Sequence, residues 1–480
     1  MGNIVRLGAE VLEGGEINTS APHTLGLKEA ASAVNLDPRE YRGAKTRPGR
    51  STFSVTNGSG TGVKGIKHWD RGAASNFASV IIPATTYLLY RTGTTFWSAS
   101  AAAVGSVHIG GTDGAYMNAV VLDDLMVVVC DGLTPAKWDG TVTTMVALAG
   151  SPPAEAKYAA IYVSKVFLSG NDADPQRVYY SATNNANQYS SMAAVNDAGS
   201  YTSQDGGGDT IQGLRACRKW MCIFYRYYTE ILTGNTVFNF SVDRLADRGL
   251  VSQTGHCGVG DVCFFASDDA VWMVAGARAS DITTSKIKTW YNAISDKTKI
   301  TLLMKGKLLL VIDHSSGQAY ACDYMTLRWS VWTDQYWECG DTSNDQVLYA
   351  GPSASTVQIQ KLDTGTADNA SAIAAHWRTG DYPFGWPDVI KNHRDTMVHA
   401  LPGMPSVTVT HYMNGSAAAS TESLTFDATG ANDWVRSGPK SELRGQYLGA
   451  KFAWSGPGTL YGFAMYAEVT ADSGEVPNEV

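Results

Sequence analysis

A chain of 480 residues is too long for one ordinary hydrophobic core, and its formal net charge of −8 lacks the excess of Lys and Arg that coating nucleic acid requires. With 49 Gly, 23 Tyr, 13 Trp and only 17% charged residues, its make-up favours many short strands and tight turns over long charged helices. The longest apolar run, around Val120 to Cys130, is broken by Asp123 and Asp124, so nothing approaches the ~20 apolar residues of a membrane-spanning helix.

The first fifteen residues have no apolar signal core, and Arg6 stands where a myristoylation signal wants Ser or Thr. The seven cysteines sit mostly in strand-like runs without a Cys-x-x-Cys pair, so they are expected to be reduced core residues of a cytoplasmic product. Residues 1–51 are expected to form an extended N-terminal arm, turn-rich and not strand-like, with room for a helical turn or two at Lys28 to Val34. Eight basic residues lie between Arg39 and Arg71 against Glu40 and Asp70. Of these, Arg39, Arg42, Lys45, Arg47 and Arg50 are the candidate interface residues, suited to an acidic neighbouring subunit, with a solvated face and DNA contact as the alternatives.

From residue 52 a pattern of short strands repeats, clearest at Lys299 to Thr333. Four apolar runs (Ile300 to Met304, Leu308 to Ile312, Gln318 to Cys322, Arg328 to Trp332) are separated by turns that carry Gly306 and Gly317. The second run is purely aliphatic, as a strand buried on both faces would be, and Trp329 and Trp332 mark the outermost strand. Earlier copies read as 62–100 (with a strand at 78–82), 105–146, 158–182, 211–242 and 255–275, and 336–362 as a partial one. The second strands recur every ~40–50 residues, the period of propeller blades. An all-β fold is predicted: a β-propeller of six or seven blades over 52–363, with an additional C-terminal β-sandwich and the extended N-terminal segment.

Between the third and fourth copies, 183–210 is a polar insertion with Gly206-Gly207-Gly208, read as functional or mobile. Residues 364–375 read as a linker, the strands after it as a sandwich module over 364–470, and 471–480 as an acidic flexible tail.

Chemistry-bearing motifs are scarce. The nine histidines are scattered, and no nucleophile elbow, phosphate loop or calcium loop is complete; Asn171 to Asp174 opens like one but meets Pro175. Asp268, Asp269 and Asp313 could serve a propeller hydrolase, yet they fall in predicted hairpin turns, where Asp is favoured for backbone reasons. No catalytic, cofactor-binding or metal-binding residue is assigned, and no cofactor is expected.

The N-terminal string Gly14-Gly15-Glu16-Ile17-Asn18, then Ala33-Val34-Asn35, then Lys45-Thr46-Arg47-Pro48-Gly49 resembles the opening of bacteriophage tail proteins. The later order of Glu230-Ile231-Leu232, Asp247-Arg248-Gly249-Leu250-Val251, Leu308 to Asp313 and Leu327-Arg328-Trp329 is similar to the tail hub, nozzle or packaged-DNA-stabilisation proteins of short-tailed phages. The resemblance spans about residues 12–465. It implies a structural, non-enzymatic virion protein, assembled in the host bacterial cytoplasm into a homo-oligomeric ring, expected to be a hexamer. That ring would sit in the virion tail below the portal and adaptor, near tail fibres or tailspikes, and hold packaged DNA without reading its sequence. A propeller-type glycan-degrading enzyme and a receptor-binding module at the tail tip are the alternatives.

Overall fold

In the computed structural model, residues 3–9, 12, 15–55, 62–71, 85–92, 95–99, 104–122, 125–139, 144–190, 197–203, 209–276, 278–353, 358–426, 434–437 and 443–469 are described. The predicted strand at 78–82, the Gly206–Gly208 run and the acidic tail lie outside them.

The repeat at 300–332 shows why the sequence folds as it does. Ile300–Lys305, Leu308–Asp313, Gln318–Asp323 and Arg328–Trp332 pair antiparallel in sequence order. Gly306 and Gly317 turn the chain at φ 56° and 72°, left-handed values that cost glycine nothing. Every residue of Leu308–Asp313 is buried. Its alternate side chains part to opposite faces: Leu308, Leu310 and Ile312 pack with Trp337, Leu348 and Leu362, while Leu309 and Val311 pack with Phe264 and Val271. A purely aliphatic strand is thus what a blade wedged between two others needs.

Six further sheets repeat this meander. Their first strands are Val63–Arg71, Met117–Leu122, Tyr158–Tyr162, Ile211–Ala216, His256–Val259 and Trp337–Thr342. Each first strand neighbours the next in order, and Trp337–Thr342 lies against Val63–Arg71, so the ring closes. The chain is a seven-bladed β-propeller. The last blade takes three strands from 337–362 and its fourth from the N-terminal region, Arg50–Val55, paired antiparallel with Gln358–Leu362. Blade 3 likewise finds its fourth strand, Gly199–Thr202, inside the stretch expected to be a loop.

Beyond the propeller, two sheets face each other. One contains Ala374–Arg378, Leu448–Ser455, Val407–Met413 and Ser416–Leu424; the other contains Asn3–Ala9, Thr459–Val469, Lys391–Ala400 and Trp434–Arg436. Val398, Val407, Phe452, Phe463 and Met465 fill the space between.

Residues 1–51 depart most from expectation. Asn3–Ala9 is a full strand of the sandwich, paired along its length with Thr459–Val469. Where a helical turn was expected there are two strands, Glu29–Ala30 and Ser32–Val34. The second lies between Arg328–Trp332 of blade 6 and Ala374–Arg378 of the sandwich. Arg328–Trp332 is therefore not outermost, and blade 6 and one sandwich sheet form a single nine-stranded sheet. Local pattern misses these strands because each is two to seven residues long, and Asn3–Ala9 and Ser32–Val34 are paired by segments hundreds of residues away. The 364–375 stretch is no loose linker either: Ala367–Asp368 and Ser371–Ala372 form a hairpin beside Arg50–Val55.

The clasp leaves a steric signature at Gly49, where an added Cβ would stand 1.9 Å from the Ala367 carbonyl oxygen. Gly49→Ala should lower stability by about 1–3 kcal/mol through this overlap. Gly26→Ala, whose nearest neighbour is the Glu29 carboxylate at 3.5 Å, should leave the thermal unfolding midpoint nearly unchanged.

Candidate functional site

The five candidate interface residues divide sharply. Arg39 is bidentate to Asp363, at 3.0 and 2.6 Å, and also grips Asp37 at 2.9 Å. Arg47, only 3% exposed, is bidentate to Asp368 at 3.0 and 2.6 Å, donates to Asn35 Oδ1, and stands 5.4 Å from the Trp332 ring centre. Arg50 donates to the Asp334 carbonyl at 2.6 Å and lies over Trp337. Farther along the basic stretch, Lys64 pairs with Glu338 and Lys67 with Asp341. Most of the acidic partners therefore come from 338–368 of the same chain: Arg39 and Arg47 stitch the N-terminal region to the end of the seventh blade and the hairpin after it, and Lys64 and Lys67 join blade 1 to blade 7. Arg42 and Lys45 are exposed. Arg42 follows the half-exposed Tyr41, whose hydroxyl donates to Asp323, and Met325 on that hairpin is 63% exposed.

A second cluster forms where the first strands of several blades begin around the propeller axis. Glu338, 2% exposed, accepts from Lys64 Nζ at 2.5 Å and the Tyr116 hydroxyl at 2.6 Å, both on its Oε1. Its Oε2 is buried without a hydrogen-bond partner among the described residues. Thr301 donates to the Glu338 carbonyl at 3.0 Å, and His314 Nε2 lies 3.9 Å from the carboxylate. Burial and the Glu338 charge push the Tyr116 hydroxyl well above its ordinary range. Burial holds the His314 imidazole below its own against the pull of Glu338. The cluster ties blades 6, 7, 1 and 2 together across the point where the ring closes.

The third arrangement is a cleft of about 330 Å³ between blades 3 and 4. Tyr180, Ser200 and Tyr201 contribute one wall; Leu232, Phe240 and Arg244 are on the other. At its floor lies Glu230, 2% exposed, which accepts from Ser203 and from the hydroxyls of Tyr225 at 3.2 Å and Tyr201 at 3.4 Å. Burial and that carboxylate push the Tyr201 hydroxyl up to about 12, so it remains a proton donor. Sequence pattern gave no hint of this cleft, because the wall that holds Ser200 and Tyr201 lies in the stretch expected to be a loop.

The other residues weighed for chemistry have structural partners. Asp313 Oδ1 accepts from the Ser315 amide at 3.0 Å and hydroxyl at 2.6 Å, fixing its hairpin. Asp268 and Asp269 receive Arg226 and Arg248 from blade 4. Asn171 closes an Asx turn onto Ala173. All seven cysteines are buried and free. Among the described residues no three His, Cys, Asp or Glu side chains gather as a metal site.

No family model matches this chain, and no curated protein matches it. Solved structures do: the Neurospora crassa Pan2 WD40 domain (9% identity, TM-score 0.41, covering 67% of this chain and 96% of that one) and the computationally designed Ika8 protein (9%, 0.40, 65% and 100%). The extracellular domain of the BT4673 hybrid two-component system from B. thetaiotaomicron also matches (9%, 0.46, 75% and 45%).

Two outcomes follow from these charges. Arg47→Glu strands Asp368 and should cost ~3–5 kcal/mol, the usual effect of breaking a buried pair, whereas Arg42→Glu should shift the thermal midpoint by less than a degree or two. Burial holds His256 and His393 down to about 3 and His376 to about 4. Their unfolded forms take up protons below about 6.5, so their contribution is intact above that pH and is lost as pH falls toward 4. Glu16 runs the other way: burial raises it to about 7 against the bonds from Ala33 and Tyr320, so its contribution is lost as pH rises from 4.5 through 7. In thermal melts across pH 4–8, Glu16→Gln should gain on the wild type as pH rises; a constant gap would contradict the burial argument.

Proposed function

We propose that this chain is a structural protein of a bacteriophage tail, a hub or nozzle whose copies form a ring around the DNA channel. The observation that carries the proposal is the nine-stranded sheet that runs from blade 6 through Ser32–Val34 into the sandwich. Two domains joined by a linker move against each other by default. Here the shared sheet removes the hinge, as suits a component that passes load from one neighbour to the next. The net charge of −8 also suits a channel that must not trap the polyanion passing through it. Copies would meet each other, the portal or adaptor, and tail fibres or tailspikes through exposed surface. The Tyr41, Arg42 and Met325 patch has the aromatic, Arg and Met content that interfaces favour.

Size-exclusion chromatography with light scattering tests the proposal. A ring of defined stoichiometry that Arg42→Glu dissociates into protomers with unchanged circular dichroism is the expected result. A monomer that releases sugar from host polysaccharide would overturn it in favour of a glycan-degrading propeller at the tail tip.

A further inference from the structure

The cleft between blades 3 and 4 stands apart from ring assembly, and its chemistry is specific enough to name a ligand class. We infer that it binds a neutral sugar unit of a glycan. At about 330 Å³ the cavity is at the small end of ligand pockets, room for one or two sugar rings. Its lining carries one acid and one base, Glu230 and Arg244, directly opposite each other on paired strands. Arg244 also pairs with Asp247 at 2.7 Å and Glu230 is held by three hydroxyls, so neither charge stands unpaired, which favours an uncharged ligand that both donates and accepts hydrogen bonds over an anion or an amine.

The aromatic geometry narrows the class further. Tyr180 and Phe240 meet edge to face, 5.7 Å apart with their planes at 88°. Two perpendicular rings make no slot for a flat nucleobase, whereas a puckered ring can set its C–H side against this corner while its hydroxyls reach the polar groups. Those groups are set in advance. Ser203, Tyr225 and Tyr201 orient the Glu230 carboxylate. Arg177 donates twice to Ser200 Oγ, at 2.9 and 2.8 Å, which fills its acceptor positions and leaves its O–H to donate.

The lip is built for a ligand longer than one ring. Asn239 Oδ1 accepts from the amides of Asn235 and Thr236 at 2.9 and 2.8 Å, and holds the loop between two strands of blade 4 in a fixed turn. Val237 and Phe240 of that loop face the cleft, while Phe238 between them is 94% exposed. An exposed ring on a fixed loop is a platform on which a second sugar unit can stack.

Saturation-transfer NMR on the full chain, with glucose, galactose, mannose, rhamnose, N-acetylglucosamine and their disaccharides as probes, tests the inference. At least one sugar should show transfer, with the disaccharide binding several-fold more tightly than its monosaccharide. Arg244→Ala, an exposed position, should abolish transfer at an unchanged thermal midpoint. Phe238→Ala should remove the disaccharide advantage alone. The inference is overturned if no sugar in the panel binds, if Arg244→Ala leaves binding unchanged, or if adenosine or lysine methyl ester binds there instead. None of these outcomes bears on whether the chain forms a ring.

Discussion

The architecture depends on three residues, Ser32 to Val34, held in extended conformation between a propeller blade and a sandwich sheet. On one side the segment pairs parallel with blade 6 at Val331, and on the other antiparallel with Ala374–Arg378. A strand this short has little intrinsic stability, so its position is fixed by the polar groups around it. The Ala33 amide donates to Glu16 Oε2 at 2.8 Å, and Ser330 Oγ donates to the Ala33 carbonyl at 3.1 Å. Asn35, at φ 54°, turns the chain out of the strand. Its side chain donates to the Ala374 carbonyl and accepts from Arg47 and the Thr333 amide. One amide side chain thus touches the sandwich, the N-terminal region and blade 6 together, and each of its bonds would leave a buried group unsatisfied if lost.

Glu16 shows what such a junction demands. Its carboxyl is 5% exposed and bonds across to Ala33 on one oxygen and to the Tyr320 hydroxyl, at 2.9 Å, on the other. Burial disfavours its charge more strongly than these two donors favour it. A hydrophobic residue there would avoid that cost but could not hold the Ala33 amide and the Tyr320 hydroxyl in register. Specificity of pairing, rather than net stability, is what a buried polar group of this kind contributes.

What the sequence made legible follows from the range of the interactions. Strands paired to the next segment in the chain, such as Leu308–Asp313 with Gln318–Asp323, announce themselves by apolar runs and glycine turns, and so does the propeller period. Asp313 was likewise readable as a turn residue, because its partners Ser315 and Ser316 lie two and three positions away. Ser32–Val34 and Arg50–Val55 carry no such mark, since their pairing partners are about 300 residues distant. The basic stretch was visible as charge, but its acids were sought in another subunit. Asp363 and Asp368 lie so far along the chain that sequence proximity gives no sign of them. The cleft was hidden for a related reason: Glu230 and Tyr201 belong to neighbouring blades and meet only when these stack.

Ring closure makes the order of events in folding asymmetric. Blades 1 to 6 complete their four strands from local sequence, most hairpins closing over a few residues. Blade 7 cannot, because its fourth strand, Arg50–Val55, precedes the whole propeller while its partner ends at Leu362. Contacts of such separation carry a large loop-closure cost and form late. Until Arg50–Val55 docks, blade 7 lacks its fourth strand, and the cations Arg39 and Arg47 beside it have not met Asp363 and Asp368. Those ion pairs hold the N-terminal region against the end of the propeller, next to the strand pairing that closes it. The same N-terminal region carries Ser32–Val34 against blade 6 and the sandwich, so one stretch of chain both completes the ring and fuses the two units.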